Sequence, residues 1–185
     1  MTATATKRKT LVLIAVGLAL VAAVAVGLTL LLNEESEADT ATSKPGTPVA
    51  VSAADLREFA RSADGPIYWA GELRGTELEL TRTSRNEIFV RYLSGDADVG
   101  DSRPAFATVS TYPYDRAYQV TAKSAKGKGM ASRDAPGGGI AAWSRSRPTS
   151  VYLAYPGSNR LVEVFDPDAK RARELVFSGQ VSPVK

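Results

Sequence analysis

The chain has 185 residues, of which 44% are hydrophobic and 23% are charged, and this composition is typical of a protein that folds. It contains no cysteine and no histidine, which excludes disulfides, zinc sites built from these residues, thiol nucleophiles and imidazole bases. The formal net charge of +3 comes from Lys7, Arg8 and Lys9, because the remaining 20 of the 23 basic side chains balance the 20 acidic ones. This distribution predicts that the protein does not bind nucleic acid.

A stretch of 22 uncharged residues, 11–32, follows this basic flank. As a helix it would be roughly 33 Å long, which is enough to cross a hydrocarbon core of about 30 Å. Because positively charged flanks stay in the cytoplasm, we expect a single-pass signal anchor in the cell membrane, with residues 1–10 in the cytoplasm and the C-terminal part outside it. The alternative is a cleaved signal peptide, but its apolar core usually has only about 7–15 residues and ends at a small-residue cleavage site, which residues 30–33 lack.

Small residues recur at every fourth position of this predicted transmembrane helix. They are Ala15, Ala19, Ala23 and Gly27. Such a stripe would allow a second copy of the helix to approach closely, so it is consistent with a homodimer. The alternative is that alanine and glycine are simply frequent in this apolar segment, because the same pattern often occurs without association.

Residues 33–51 have the composition of a flexible linker. They are acidic at first and then rich in threonine, serine, proline and alanine, so they offer almost nothing to bury. Residues 52–185 are predicted to form one extracytoplasmic domain, which is long enough to bury a core without disulfides.

The hydrophobic periodicity of residues 52–185 predicts an α+β fold, in which one compact, mainly antiparallel sheet packs against two or three helices. Apolar runs predict strands at residues 67–70, 77–81, 88–93, 106–112, 130–133, 140–143, 151–155 and 160–165. The polar residues 84–86 and 156–159 would turn two pairs of these strands into hairpins.

Three helices are predicted in the same domain. The first follows Ser52, which opens a variant of the capping box. The second is introduced by Pro113 and covers residues 114–125, where apolar and charged side chains lie on opposite faces. The third follows Asp166 as N-cap, with Pro167 at the first helical position.

Asp96, Asp98 and Asp101 cluster in a polar loop, and carboxylates at this spacing are ligands that calcium prefers. The segment departs from the EF-hand pattern, because Gly100 takes the fifth position of that loop. The alternative is an ordinary solvated turn, which also uses aspartate and glycine. With no stronger ligand set in the chain, we expect no cofactor.

The charges beyond the predicted membrane segment are divided unequally between two halves of the chain. Residues 33–102 carry 14 acidic and 7 basic side chains, whereas residues 103–185 carry 6 acidic and 13 basic ones. The cations of the second half could form a patch for an anionic polymer or for lipid headgroups. Alternatively, they are scattered over solvated faces and paired with the acidic half. The residues of this predicted anionic-ligand patch are Lys123, Lys126, Lys128, Arg133, Arg145 and Arg147.

Four short segments of the predicted domain carry a resemblance to known proteins. They are GPIYWAG at 65–71, PGGG at 136–139, RPTSVYLAYPG at 147–157 and EVFDP at 163–167. With these segments the chain resembles uncharacterised single-pass membrane-anchored proteins of high-GC Gram-positive bacteria, over about residues 56–184. The resemblance implies an extracytoplasmic location and a compact domain, and it implies no activity and no site residue.

These observations favour a membrane-tethered extracytoplasmic binding or assembly domain of the cell envelope that is not an enzyme, whose partner is an envelope protein or an anionic polymer. The alternative is an anchored hydrolase that depends on carboxylates or on a metal. Such an enzyme would need Asp96, Asp98 or Asp101 to converge with a distant acid such as Asp64 or Asp134.

Overall fold

A computed structural model describes residues 44–185 of the chain. The predicted transmembrane helix at 11–32, its stripe of small residues, the cytoplasmic segment 1–10 and the linker residues 33–43 lie outside the described residues. Within residues 44–185, no helix has both the length and the apolar character needed to cross a membrane.

The described residues contain ten strands and three α-helices. The strands are β1 (Val49–Val51), β2 (Tyr68–Trp69), β3 (Thr76–Arg82), β4 (Ile88–Ser94), β5 (Thr108–Pro113), β6 (Met130–Ala135), β7 (Gly139–Ser144), β8 (Ser150–Ala154), β9 (Arg160–Phe165) and β10 (Ser182–Pro183). The helices are α1 (Ala53–Ser62), α2 (Ala117–Ser124) and α3 (Ala169–Phe177). The domain is therefore a mainly antiparallel sheet with three helices, in keeping with the predicted α+β class.

Eight of the strands form one antiparallel sheet in the order β1-β3-β4-β5-β9-β8-β7-β6, and β10 pairs with β2 in a separate ribbon. The two predicted hairpins are present, with Arg82 paired to Ile88 in β3–β4 and Ala154 paired to Leu161 in β8–β9. The pairing of β5 with β9 joins the two halves of the chain. The outer strands of the sheet are β1 and β6.

The hydrophobic core lies on one face of the large sheet, which we call the core face. Leu80, Val90, Val109, Val164 and Val151 form a row across successive strands on this face, and each is at most 2% exposed. Because strand side chains alternate between the two faces, the same strands bring further apolar residues to the core at every second position. Helices α1 and α3 and the β2–β10 ribbon contribute to the same buried cluster.

The opposite face, which we call the second face, is covered by two different elements. Helix α2 contacts β7, β8 and β9, and its buried residues are Ala117 and Thr121. Over β3 and β4 the loop 95–107 takes this place. The carboxylate of Glu79, which is 1% exposed, accepts a hydrogen bond from the Gly100 backbone N–H at 2.6 Å and another from Arg91 at 2.7 Å. This buried acid therefore holds the loop on the sheet.

Two predicted boundaries near the start of the domain and in its middle were wrong. Residues 49–51 were assigned to the linker, but they form β1 and pair with β3. Pro113 ends strand β5 instead of introducing a helix, and α2 begins only at Ala117. The turn between them places Arg116 at a positive φ of 55°, so the helical periodicity read from residue 114 extended too far toward the N-terminus.

The predicted N-cap of the last helix was also wrong. Asp168 caps α3, since its side chain accepts a hydrogen bond from the Lys170 backbone N–H at 2.8 Å. Asp166 is buried instead, and its Oδ1 accepts a hydrogen bond from the Asp168 backbone N–H at 2.8 Å. The helix therefore starts two residues later than expected, beyond Pro167.

Candidate functional site

The three aspartates considered as calcium ligands have different surroundings in the structure. The side chain of Arg103 binds Asp101, with Arg103 Nε donating to Asp101 Oδ2 at 2.8 Å, and the Arg103 backbone N–H donates to Asp101 Oδ1 at 2.8 Å. The hydrogen bonds from Arg103 lower the pKa of Asp101 to about 2. Asp96 and Asp98 are exposed to solvent. Across residues 44–185, no three acidic side chains lie close enough together to hold a metal ion. The loop is instead fixed by Arg103 and by the bonds to Glu79.

The second face carries a polar cluster of Tyr112, Tyr152 and Glu163, in which a carboxylate beside two hydroxyls has the composition of an acid–base pair. The Tyr112 hydroxyl donates to Glu163 Oε2 at 2.9 Å. Burial, and then the charge of Glu163, raise the pKa of Tyr112 and of Tyr152 well above the usual value for tyrosine. Both hydroxyls therefore keep their protons at neutral pH, and the cluster acts as a hydrogen-bonded part of the sheet surface.

Two loops lie side by side at one end of the β6–β7 hairpin, because Met130 at the start of β6 pairs with Ser144 at the end of β7. Arg145 ties these loops together. Its backbone N–H donates to Gly129 O at 2.9 Å, and its side-chain Nε donates to Met130 O at 3.1 Å. The α2–β6 loop and the β7–β8 loop thus form one surface.

Four of the six predicted patch residues lie on this surface, and all four are exposed. Lys126 and Lys128 belong to the α2–β6 loop, and Arg145 and Arg147 belong to the β7–β8 loop. We call these four residues the cationic end. The structure therefore brings together residues that are about 20 positions apart in the sequence.

The other two predicted patch residues lie elsewhere. Lys123 is exposed on α2. Arg133 is on β6 and pairs with Ala141, so it belongs to the core face of the sheet. Its guanidinium carbon lies 4.1 Å from the ring centroid of Phe177 in α3, which is a close cation–π contact.

A groove of about 360 Å³ surrounds this contact, and we call it the hairpin groove. It is lined by Arg133, Trp143, Lys170, Arg173, Glu174 and Phe177. The rings of Trp143 and Phe177 meet edge to face with their centroids 5.8 Å apart. Lys170 pairs with Glu174 at 3.4 Å. The groove therefore combines an aromatic wall with an excess of positive charge, a combination that suits an anionic group carried on an apolar chain.

None of the six patch cations lies within 4.0 Å of a carboxylate in the described part of the chain, where all seven ion pairs involve other cations. Residues 116–159 contain seven basic side chains and one acidic one, Asp134. This stretch of the chain therefore carries a net positive charge, and its patch cations form no direct ion pairs within residues 44–185. This favours an anionic-ligand surface over the alternative in which these cations pair with the acidic half.

Sequence reasoning missed most of the hairpin groove. Arg133 was predicted as a patch residue, but Trp143, Lys170, Arg173 and Phe177 were not. These residues come together only because α3 packs on β8 and β9, beside the β6–β7 hairpin. The one signal available in the sequence was Trp143 at the end of a predicted strand, which could equally have been a core residue.

Comparisons with protein-family models, with curated proteins and with solved structures gave no match. The function therefore has to be inferred from the geometry and the charges described above.

Proposed function

We propose that this protein is a membrane-tethered binding or assembly domain of the cell envelope, and that it holds an anionic partner outside the cytoplasm through its cationic end and hairpin groove. The observation that carries the proposal is that two joined loops bring Lys126, Lys128, Arg145 and Arg147 to one end of the β6–β7 hairpin, where none of them forms an ion pair within residues 44–185. Exposed, unneutralised cations attract anionic groups and speed their association. An anionic partner would supply the missing negative charge.

The tether in this proposal is supported by the uncharged residues 11–32 and by the basic residues before them. The resemblance to single-pass proteins of high-GC Gram-positive bacteria supports the same location.

The test compares variants of the full-length chain in non-ionic detergent for their retention on isolated cell envelopes. Lys126→Ser, Lys128→Ser and Arg147→Ser are combined, whereas Arg145 is kept because its side chain bonds to Met130 O. We expect retention to fall about tenfold, since three lost cations at about 0.5 kcal/mol each amount to that factor.

A matched control removes three cations from the other half of the chain. Lys44, Arg74 and Arg82 are exposed and form no ion pair within the described residues, so their replacement by serine changes the net charge by the same amount. We expect this control to bind envelopes as the unchanged chain does. Equal loss of retention in both variants would mean that net charge alone is responsible, and the proposed site would be wrong.

A further inference from the structure

The edge strand β6 offers unpaired backbone groups. In an antiparallel pair of strands, hydrogen-bonded and non-hydrogen-bonded residue pairs alternate. The hydrogen bond from Arg145 N–H to Gly129 O shows that residues 129 and 145 are a hydrogen-bonded pair, and this determines which residues of β6 are bonded to β7. Residues 131, 133 and 135 therefore bond to β7, while the N–H and C=O groups of Ser132 and Asp134 point away from it. Neither residue makes a backbone hydrogen bond to another element in the described part of the chain.

The two edges of the sheet differ in how well they are protected. Edge strands are commonly blunted by being short, by proline, by a bulge or by charged side chains, and of these β6 has only the charged pair Arg133 and Asp134. Strand β1 has three residues and is preceded by Pro48, whereas β6 has six residues, contains no proline and keeps a continuous register with β7. Its first residue is covered, because Met130 N–H donates to Gly127 O and Met130 O accepts from the side chain of Arg145. An incoming strand would therefore find a free template at β6.

The hairpin groove adjoins this edge on the core face, because Arg133 belongs both to β6 and to the groove. A strand added to β6 would lie about 4.8 Å away, and every second side chain would point to the groove side. Those side chains would meet the cations Arg133, Lys170 and Arg173, of which only Lys170 has a carboxylate partner. The exposed cations of the cationic end lie where β6 begins. Because the cations on both sides of the added strand would attract carboxylates, the complementary segment is acidic.

We propose that β6 binds an extended acidic segment of a partner protein, which adds to the sheet as a ninth strand and places its carboxylates beside the hairpin groove. This inference rests on the proposed function and names the class of partner. A free anionic polymer would use the same cations without using the backbone of β6, so hydrogen bonding by the edge distinguishes the two classes.

The test uses the full-length chain in non-ionic detergent and a labelled eight-residue peptide that alternates glutamate and valine and is capped at both ends. Binding is followed by fluorescence anisotropy. A second peptide has the same side chains but carries N-methyl groups at alternate amides, which removes the donors that pair with the edge. We expect N-methylation to weaken binding about tenfold or more, since at least two hydrogen bonds are lost.

A matched pair of variants tests the edge itself. Ser132→Pro removes an N–H that faces away from β7, and proline is tolerated at such edge positions, whereas Ser132→Ala keeps the N–H. We expect the proline variant to lose affinity by about fivefold, since one hydrogen bond of about 1 kcal/mol is lost, and the alanine variant to bind as the unchanged chain does. If Ser132→Pro fails to fold, the affinities of the unmethylated and N-methylated peptides for the unchanged chain still show whether the backbone of the peptide bonds to β6.

Three outcomes are distinguishable. Binding that is lost on N-methylation of the peptide and in Ser132→Pro supports strand addition. Binding of both peptides with equal affinity, together with binding of long-chain polyphosphate, overturns strand addition and leaves the proposed anionic-ligand function in place. Failure of the acidic peptides and of polyphosphate to bind overturns both.

Discussion

Arg91 donates a hydrogen bond at 2.7 Å to the carboxylate of Glu79, which is buried on the second face of the sheet. The same guanidinium donates to the carbonyl of Asp101 at 2.6 Å, and the second oxygen of Glu79 accepts from Gly100. The buried acid thus links two strands to the loop 95–107. Removing it would leave the guanidinium of Arg91, whose side chain is 19% exposed, without its carboxylate partner, and the loop without its bond at Gly100.

We therefore expect Glu79→Ala to lower the free energy of unfolding by about 3 kcal/mol or more, the usual cost of breaking a buried ion pair on one side. Glu77→Ala, an exposed acid on the same strand, should change it by less than about 0.5 kcal/mol. Urea unfolding of the full-length chain in non-ionic detergent measures both. Similar values for the two variants would contradict the role given to Glu79.

Asp166 predicts a pH dependence of stability. Burial raises its pKa above the usual 3.8, and its Oδ2 has no hydrogen-bond partner in the described residues, although Arg171 Nε lies 3.4 Å away. The folded chain therefore holds this proton more tightly than the unfolded chain. The contribution of Asp166 to stability is fully present below about pH 3.8 and declines as the pH rises through the folded-state pKa.

Asp166→Asn removes this titration while keeping an oxygen that can accept the hydrogen bond from the Asp168 N–H. We expect the difference in melting temperature between Asp166→Asn and the unchanged chain to shift in favour of the variant as the pH is raised from about 4 to 7. Melting curves across that interval test the sign. A difference that stays constant with pH would show that Asp166 does not titrate in this way.

The N-terminus of α1 depends on Ser52. Its Oγ accepts a hydrogen bond from the Asp55 backbone N–H at 3.1 Å, and Asp55 Oδ2 in turn accepts from the Ser52 backbone N–H at 2.9 Å. Ser52→Ala should destabilise the chain by about 1 kcal/mol, the usual effect of losing an N-cap. Ser84→Ala, in the exposed β3–β4 turn, is the control and should leave the unfolding midpoint unchanged. An equal midpoint for Ser52→Ala would contradict the capping assignment.

Gly139 is required by the ring of Tyr155. A Cβ at this glycine would lie 2.9 Å from Tyr155 Cε1, and Tyr155 is itself stacked on Tyr68 with centroids 5.7 Å apart. We expect Gly139→Ala to cost about 1–3 kcal/mol, because the ring cannot shift without losing that stack. In a Tyr155→Ala background the same substitution should cost clearly less, and a double-mutant cycle measures the difference. Additive effects would contradict the close approach.

The elements that could be predicted from the sequence are those with local signals. The β3–β4 and β8–β9 hairpins have alternating apolar residues on both sides of a polar turn, and the capping box of α1 lies within four residues. Strand β1 could not be predicted, because its three residues pair with Leu78–Leu80 of β3, which follow much later. The N-cap of α3 was misplaced since Asp166 and Asp168 both precede the helix, and only burial distinguishes them.

The candidate site was predictable in composition and not in arrangement. Counting charges identified the cations of the second half of the chain, but their distance from carboxylates depends on the strand order, which the sequence does not reveal. Phe177 and Trp143 became part of the site because of how α3 packs beside the β6–β7 hairpin. The free edge of β6 likewise follows from the strand order.

Site-specific photo-crosslinking in intact cells tests most directly whether the cationic end holds an anionic envelope partner, with the photoreactive residue placed at position 128 of the cationic end and, as control, at exposed position 74. We expect position 128 to capture an envelope component with an excess of acidic groups and position 74 not to capture it. Capture of the same components from both positions, or capture of cytoplasmic proteins from position 128, would contradict it.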